Sequence, residues 1–590
     1  MKKLILRRIA ACTLLLAILY SCSENFLETT PTGSANSVTL ANEKGVNALL
    51  IGAYHALLGA GQQANGWFGT WAWAASVSNW VWGSVASDDG TKGSDITDQS
   101  TIVPIEDYTV NSGNGYVSDK WNANYDGVAR ANDVLKLLAI AEGISAENAT
   151  QIKAQALFLR AWFHFELKRV FNNIPYITET TADPALVPNN VDAWPLIVAD
   201  MKFAADNLPA KQTDPGRPTK YAAEAVLARI YLFQKDYTAA KPLLDDIINN
   251  GGYTLMPNFD DNYKIATRNN AESIFEIQYA VNDGTEESVN GGYGDCLNFP
   301  QNVDGLGTCC GFHTPTQNFV NAFKTDAGGL PLLDTYNNTN FKNDMGVKSN
   351  ELFVQDTVQT VDPRLDFTVG RRGVPYLDWG IERGNDWIRD QGNAGPYVYK
   401  KNMFLKSEQS TYQTTTGWAT GVNANNYRAY RLGHILLWRA EVAIEENDLV
   451  KATTLVNMLR TRAANKKVMG RCRTFILAGQ TGLKVDNSKP AANYLIGDYP
   501  TFPDKAYALK AVQMEARLEF GMEGHRHFDL VRWGIADATI NAYLTTDRLF
   551  RSLFGGVKPA VFTANKNEYW PIPQGQIDLQ PGVLTQNPGY

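Results

Sequence analysis

Apolar residues recur with helical spacing in several blocks of the first half of the chain. In residues 151–171 they return every three or four positions, as on the buried face of an amphipathic helix. The turn formers that follow, ending at Pro175, predict the end of this helix. Residues 194–208 predict a second helix, and residues 219–249 predict two helices joined near Lys235. The patterning therefore favours a helical scaffold.

The predicted hairpin at 219–249 fits the tetratricopeptide pattern, in which small and large apolar residues occupy set positions on two antiparallel helices. The positions that match are Leu227, Ala228, Tyr231, Tyr237, Ala240 and Leu244. A second copy runs from Arg439 to Leu459 and turns at Asn447-Asp448. Weaker single-helix versions lie at 151–171 and 505–533. Because the copies are not contiguous, we do not expect a plain solenoid.

Long irregular segments interrupt the helical blocks. Three of them are rich in Gly, Asn, Asp, Thr and aromatic residues: 60–118, 251–317 and 331–425. Segments this long are usually functional or disordered, and their aromatic content argues against disorder. The predicted fold is mostly α, with tetratricopeptide-like helical hairpins forming a scaffold, mainly at 120–250 and 426–535. The long loop-rich ligand-binding portion carries a few short strands, such as 273–277.

The amino terminus has the pattern of a bacterial secretion signal. Basic residues at positions 2, 3, 7 and 8 precede an apolar stretch, Ile9 to Tyr20, that is too short to span a bilayer. Ser21 followed by Cys22 resembles a lipobox, which implies cleavage before Cys22 and lipid on that cysteine. We predict a signal peptide at 1–21 and one lipid-anchored domain at 22–590. A plain signal peptide with an incidental cysteine is the alternative.

Charge and cysteine content narrow the range of functions. The formal net charge is −7 and no long basic run follows the signal, which argues against nucleic acid as a partner. Four cysteines besides Cys22 are too few for a disulfide framework in a mature chain of this length. We interpret Cys296, Cys309, Cys310 and Cys472 as packing residues or one local bridge, in which Cys309 or Cys310 could pair with Cys296.

Several blocks together resemble the SusD/RagB family of outer-membrane nutrient-binding lipoproteins. They occur in family order along nearly the whole mature chain, and they are specific as a set rather than singly. The blocks are the leader Cys22 to Gly33, the helix Ala156 to Pro175, Gly216-Arg217-Pro218-Thr219 before the first hairpin, Glu272 to Glu276, Asp362 to Leu365, Arg431 to Arg462, Arg517 to Gly534, Pro571 to Gln574, and Gln586 to Tyr590.

This resemblance implies a non-enzymatic binding protein, lipid-anchored to the outer membrane and exposed at the cell surface. It implies capture of a glycan and delivery to a partner, a TonB-dependent barrel of the SusC type. A peptide ligand for the same type of importer is the alternative. The sequence departs from the family pattern in the irregular segments, so ligand identity does not carry over with the fold.

The resemblance also implies a binding site made of aromatic side chains on loops. Sugar rings stack their apolar faces on Trp and Tyr, while their hydroxyls bind Asn, Asp and Arg. Aromatic residues crowd two segments, one holding Trp67, Phe68, Trp71, Trp73, Trp80 and Trp82, the other Tyr376, Trp379, Trp387 and Trp418. The predicted ligand contacts, of which at least two aromatic rings should face a cleft, are Trp80, Trp82, Asp88, Asp89, Tyr293, Tyr376, Trp379 and Trp387. For any single Trp, burial in the core is the alternative.

Other chemistries have weaker support. His525, His527 and Asp529 could suggest a metal, but neighbours two positions apart on a helix point in different directions. Asp88, Asp89 and Asp95 lack the spacing of a calcium-binding EF-hand loop. The H-E-x-x-H, G-x-S-x-G, P-loop and G-x-G-x-x-G motifs are absent from the sequence, so we predict no catalysis, no metal and no cofactor.

Overall fold

Helices form most of the regular structure. The computed structural model describes residues 37–59, 72–285, 288–303, 310–415, 421–474, 484–548, 551 and 560–590. Within these ranges eleven α-helices have eight or more residues: α1 Glu43–His55, α2 Gly115–Ile140, α3 Ala146–Phe171, α4 Trp194–Asn207, α5 Lys220–Phe233, α6 Tyr237–Asn250, α7 Leu432–Glu445, α8 Leu449–Ala464, α9 Lys505–Phe520, α10 Arg526–Trp533 and α11 Ala536–Tyr543. No helix in these ranges is long and apolar enough to cross a membrane.

The strands are short and pair in twos. The described chain has five two-stranded sheets, built from β1 Gly90–Gly93, β2 Ser273–Ile277, β3 Phe312–Pro315, β4 Thr360–Val361, β5 Val369–Arg371, β6 Tyr397–Tyr399, β7 Tyr427–Arg431, β8 Met469–Thr474, β9 Lys484–Pro490 and β10 Asn493–Tyr494. Strands β1–β3, β2–β7, β5–β6 and β8–β9 pair antiparallel, and β4–β10 pair parallel. The predicted fold class, mostly α with a few short strands, is confirmed.

The two predicted hairpins stack on each other although a long insertion separates them in sequence. Helices α2 to α6 pack in succession, α6 then packs on α7, and α7 packs on α8 and α9. Both hairpins turn through a residue with positive φ, Lys235 or Asn447, and the next residue is an Asp that caps the second helix. The repeats thus form one continuous helical stack, which their separation in sequence did not suggest.

The predicted single helix at 505–533 is two helices, α9 and α10, with a break at 521–525. The break lies against the loop before β1, backbone to backbone. A Cβ at Gly524 would come within 1.7 Å of the Ser78 carbonyl oxygen, and one at Gly83 within 1.8 Å of the Gly524 carbonyl oxygen. Gly524 also has a φ of +78°, which favours glycine. Gly521 and Gly524 are helix-ending residues in the sequence as well, and the tertiary contact fixes the break at this position.

A fully buried ionic network ties the helical stack to the loop-rich portion. Glu519 on α9 lies 2.6 Å from Arg431, 3.0 Å from Arg364 and beside Arg462. Burial by itself would raise the pKa of the Glu519 carboxyl, but the Arg462, Arg431 and Arg364 guanidinium groups lower it well below its usual range. Glu515, one turn earlier, pairs with Arg364 at 2.6 Å. Helix α9 is therefore joined by buried ion pairs to α8, to β7 and to the loop before β5.

Candidate functional site

The structure buries every described aromatic residue that the sequence suggested as a ligand contact. Trp80 is 1% exposed and Trp82 is fully buried. The Trp80 indole Nε1–H donates to the Gly294 carbonyl at 2.9 Å, and that of Trp82 donates to the Ala74 carbonyl at 2.7 Å. The expectation that these rings face a cleft is wrong, because the turn that carries them, Trp80–Val85, is packed inside the molecule.

The second aromatic cluster is the core of the loop-rich portion. Tyr376, Trp379 and Trp387 are at most 6% exposed and pack together with Phe299 and Phe404. The Trp379 indole donates to the Phe404 carbonyl at 3.0 Å, and Tyr376 meets Trp387 edge to face at 5.5 Å. These rings hold the irregular segments together and are not free to stack on a ligand. Their predicted exposure is also corrected.

The remaining predicted contacts are internal as well. Tyr293 is 6% exposed. Asp89 accepts from Arg517 at 2.7 Å, and Asp88 accepts from Arg526 at 2.8 Å. Burial alone would raise the pKa of Asp88, but Arg517 and Arg526 outweigh it and lower that pKa. The two aspartates therefore fasten the β1 loop to α9 and α10 rather than facing a ligand.

The structure also places residues that the sequence suggested for a calcium site and for a disulfide bridge. Asp95 pairs with Arg389 at 2.7 Å, away from the arginine partners of Asp88 and Asp89, so the three carboxylates do not form one calcium cage. Cys296 is a buried free thiol, whereas Cys310 is disulfide-bonded, which excludes a bridge to Cys296. Cys22, Trp67, Phe68, Trp71, Cys309 and Trp418 lie outside the described residues.

The histidines that follow α9 hydrogen-bond to groups far away in sequence. His527 Nδ1 lies 2.8 Å from the Ala86 carbonyl oxygen, while His525 Nε2 lies 3.3 Å from His434 Nε2. His434 Nδ1 accepts the Arg431 backbone N–H, so neutral His434 must carry its proton on Nε2 and donate it to His525. The hydrogen bond between His434 and His525 occupies the Nε2 atoms that would otherwise bind a metal. The Glu523 carboxylate lies close to both histidines.

An open pocket lies where α1, the turn before α5 and the end of β2 meet. We call it the Arg217 pocket; its volume is about 390 Å³, within the range of small-molecule sites. Its floor is apolar and its rim carries a phenol, a guanidinium and side-chain amides. The lining residues that matter here are Ile51, Tyr54, Leu57, Leu58, Arg217, Ile277, Gln278, Tyr279 and Asn290.

Gln155 on α3 fixes the two principal polar groups of this pocket. Its Oε1 accepts from the Tyr54 hydroxyl at 2.8 Å and from Arg217 Nη1 at 2.9 Å. Arg217 Nε donates to Asp214 at 2.9 Å, and within the described structure Nη2 makes no hydrogen bond. A Cβ at Gly216, where φ is +84°, would lie 2.5 Å from Gln278 Cγ. Because Gly216 has no side chain, the turn before α5 can pack against Gln278 at the end of β2.

Burial governs the protonation of the groups around the pocket. It raises the pKa of the Tyr54 hydroxyl, which keeps this group a neutral donor and acceptor, and it lowers the pKa of His55. Tyr279 also lines a small internal cavity beside Asp295. Burial raises the pKa of Asp295 to about 6. Among the described lining residues of the Arg217 pocket the charged groups are Arg217, Asp214 and Glu276, of which Glu276 is buried.

This arrangement suits a ligand with one apolar face and several hydroxyls. Leu57, Leu58 and Ile277 supply the apolar contact, and Arg217 Nη2 and the Asn290 amide supply hydrogen bonds. Sequence reasoning missed the pocket because it searched for tryptophan. The signal that the sequence does offer is the Gly216-Arg217 pair, which resembles the family pattern just before the first hairpin.

Comparison with known proteins places the chain in a family. The family model described as "SusD family" matches residues 271–590, more than half of the chain. The chain belongs to the SusD family. A second model, "SusD-like_3", described as "Starch-binding associating with outer membrane", matches residues 25–232.

Individual members of the SusD family match over different extents. SusD-like protein P2 of Formosa agariphila is 24% identical over 513 residues, which cover 84% of this chain and 86% of that protein. A SusD-like protein of Bacteroides ovatus is 30% identical over 183 residues, but these span only 28% of this chain and 33% of that protein.

Solved structures of SusD-like proteins share the fold. Surface glycan-binding protein A from Bacteroides fluxus is 24% identical, with a TM-score of 0.66, and the match covers 93% of this chain and 100% of that chain. Surface glycan-binding protein A from Bacteroides thetaiotaomicron in complex with laminarihexaose is 20% identical, with a TM-score of 0.61, covering 92% and 99%. At these identities the likeness extends to the fold alone.

Proposed function

We propose that this chain is a surface glycan-binding lipoprotein that captures an oligosaccharide or polysaccharide and delivers it to a TonB-dependent outer-membrane transporter. The observation that carries the proposal is the Arg217 pocket, an apolar floor beside a fixed phenol and guanidinium, in a member of the SusD family. Glycan-binding names among proteins of the same fold support it.

The chemistry of the pocket favours a sugar over a peptide. A pyranose presents an apolar C–H face to the floor and hydroxyls to the rim, and Arg217 and Asn290 can bind such hydroxyls directly. A peptide that docks by strand addition would bind mainly through backbone groups, whereas the polar side chains that line this pocket include Tyr54, Arg217 and Asn290. Peptide binding remains the competing outcome of the test.

Binding without hydrolysis fits the carboxylates of this pocket. A glycosidase needs two carboxyl groups flanking the scissile bond, one of them protonated. The two acidic lining residues are Asp214, which pairs with Arg217 at 2.9 Å, and Glu276, which lies 3.4 Å from Arg428. Each carboxylate is thus engaged by an arginine, and the two do not stand free on either side of a bound sugar.

We expect Arg217→Met to weaken glycan binding about tenfold to a hundredfold, because a hydrogen bond to a charged group contributes about 1.5–3 kcal/mol. The measurement is affinity electrophoresis of the mature chain through gels containing laminarin, starch, mannan or xylan, with unfolding temperature recorded in parallel. Lys202→Met is the matched control, since Lys202 is 60% exposed in an ion pair on α4. Retardation by a peptide ligand instead of any polysaccharide would favour the competing function.

We expect Cys22→Ala to release the chain from membranes. The described helices contain no segment that could span a bilayer, and lipid on Cys22 is the proposed attachment; two or more acyl chains are needed for stable anchoring. Detergent phase partitioning of the full chain and the variant measures this. A variant that still partitions with the detergent would contradict the lipid anchor.

The proposed transporter partner is tested by purification. The full chain, tagged and extracted from outer membranes in mild detergent, is expected to bring down a TonB-dependent barrel that mass spectrometry identifies. Recovery of the chain without such a barrel, from cells grown on the glycan that retards it, would count against delivery and leave glycan capture standing.

A further inference from the structure

A second pocket lies between α2, the segment after α3 and the carboxyl-terminal turn Gln574–Leu579. We call it the Trp121 pocket. It has a volume of about 530 Å³ and shares no lining residue with the Arg217 pocket. Both volumes fall in the range of sites for small ligands. The Trp121 pocket is thus larger than the Arg217 pocket, and the function proposed above gives it no role.

The apolar wall of the Trp121 pocket presents the partly exposed Tyr125 ring and the exposed Pro184, and the Trp121 ring, 3% exposed, supports them from behind. The Trp121 and Tyr125 rings lie 4.8 Å apart, centroid to centroid. Trp121 also meets Phe171 edge to face at 5.2 Å, and the Tyr125 hydroxyl donates to the Pro175 carbonyl at 2.7 Å. Both rings are thus fixed before any ligand arrives, which reduces the entropy lost on binding.

The polar wall consists of neutral amides. Gln576 Nε2 donates to Asn122 Oδ1 at 3.3 Å. Gln580 also lines the pocket, and its Oε1 is buried without a hydrogen-bond partner in the described part of the chain. A buried acceptor left unpaired is unfavourable. A rotation of the Gln580 side chain that turns Oε1 towards the pocket would let a ligand hydroxyl donate to it.

Charge excludes acidic ligands from this pocket. Among its described lining residues the one charged group is Asp126, whose carboxylate accepts from Arg130 Nε at 2.8 Å. Lysine and arginine are absent from the lining, so phosphate, sulfate or uronate groups would meet a carboxylate and no cation. Neutral amides beside an aromatic wall match an uncharged molecule that has both hydroxyls and an apolar face.

We propose that the Trp121 pocket is a second carbohydrate site, specific for a neutral hexose or pentose unit. Apolar side chains beside the pocket in sequence, Leu186 and Leu579, are 67% and 75% exposed and extend the contact surface for neighbouring sugar units. Two sites on one chain raise the avidity for a polymer when the polymer spans both. This goes beyond the single-site capture proposed above.

The test uses saturation-transfer NMR on the mature chain with glucose, galactose, mannose and xylose as separate probes. Ala185→Trp fills the pocket from an exposed loop position, and Gln580→Met removes the amide at nearly constant size. Ala182→Trp is the matched control, since Ala182 is exposed on the same segment and does not line the pocket. Unfolding temperatures are measured for all variants.

We expect at least one of the four sugars to give a signal with the native chain, Ala182→Trp and Arg217→Met. Its affinity should fall at least tenfold in Ala185→Trp and in Gln580→Met. A signal from none of the sugars would overturn the second site. A signal that survives in Ala185→Trp and disappears in Arg217→Met would also overturn it, and would place the sugar in the Arg217 pocket instead.

Discussion

Glu519→Ala is expected to lower the free energy of unfolding by about 3–5 kcal/mol, the usual cost of removing one partner from a buried ionic cluster. Glu519 is fully buried and faces Arg364, Arg431 and Arg462. Without its carboxylate, three buried guanidinium groups would lose the counter-charge that they share and would keep only their other partners, Asp362, Glu515, Glu272 and Glu523. Because these arginines come from the loop before β5, from β7 and from α8, the loss should loosen the contact between the helical stack and the loop-rich portion.

Urea unfolding followed by circular dichroism measures this change. Lys510→Ala, on the same helix, is the matched control: its ion pair with Asp334 is more than half exposed on both sides, and such pairs contribute about 0–1 kcal/mol. If Glu519→Ala is no more destabilising than Lys510→Ala, the buried ion pairs of Glu519 do not stabilise the contact between the helical stack and the loop-rich portion.

Trp80→Ala is expected to cost about 3–5 kcal/mol of stability, as for other buried aromatic truncations. The ring fills a site between Phe312 and His313, at centroid distances of 6.1 and 5.7 Å, and its removal leaves the Gly294 carbonyl without its donor. Polysaccharide binding by the variant that is still folded should match that of the native chain, because the ring does not reach the surface.

Thermal unfolding beside affinity electrophoresis separates the two roles of Trp80. Val450→Ala is the control for stability, since Val450 is 64% exposed on α8. A Trp80→Ala variant that melts like the native chain but loses polysaccharide retardation would restore Trp80 as a ligand contact and refute its assignment to the core.

The helical hairpins could be predicted from sequence because their signals are local. Lys235-Asp236 and Asn447-Asp448 each supply a positive-φ turn and an N-cap within two residues. The break between α9 and α10 is marked in the sequence by Gly521 and Gly524, although the helical pattern on either side favours one helix. Its contact with a loop 440 residues away in sequence could not be predicted. Stacking of the two hairpins across the long insertion is likewise a tertiary result.

The buried state of the predicted site residues has a similar cause. Trp80, Trp82 and Trp379 donate to backbone carbonyls, and a backbone acceptor leaves no mark in the sequence. Asp89 finds its partner Arg517 at a separation of 428 residues. Sequence patterning predicts exposure for Trp and Asp in a segment rich in Gly, Ser and Asn. In the structure these side chains are buried and connect one part of the chain to another.

Hydrogen–deuterium exchange with and without the polysaccharide that retards the chain tests glycan capture at the Arg217 pocket most directly. We expect slower exchange in peptides covering 51–58, 214–217 and 277–285, and no change around 80–85, which is buried in either state. Protection at 182–186 and 574–580 would report the Trp121 pocket separately. If the polysaccharide binds and none of the first three segments is protected, the Arg217 pocket is not the capture site.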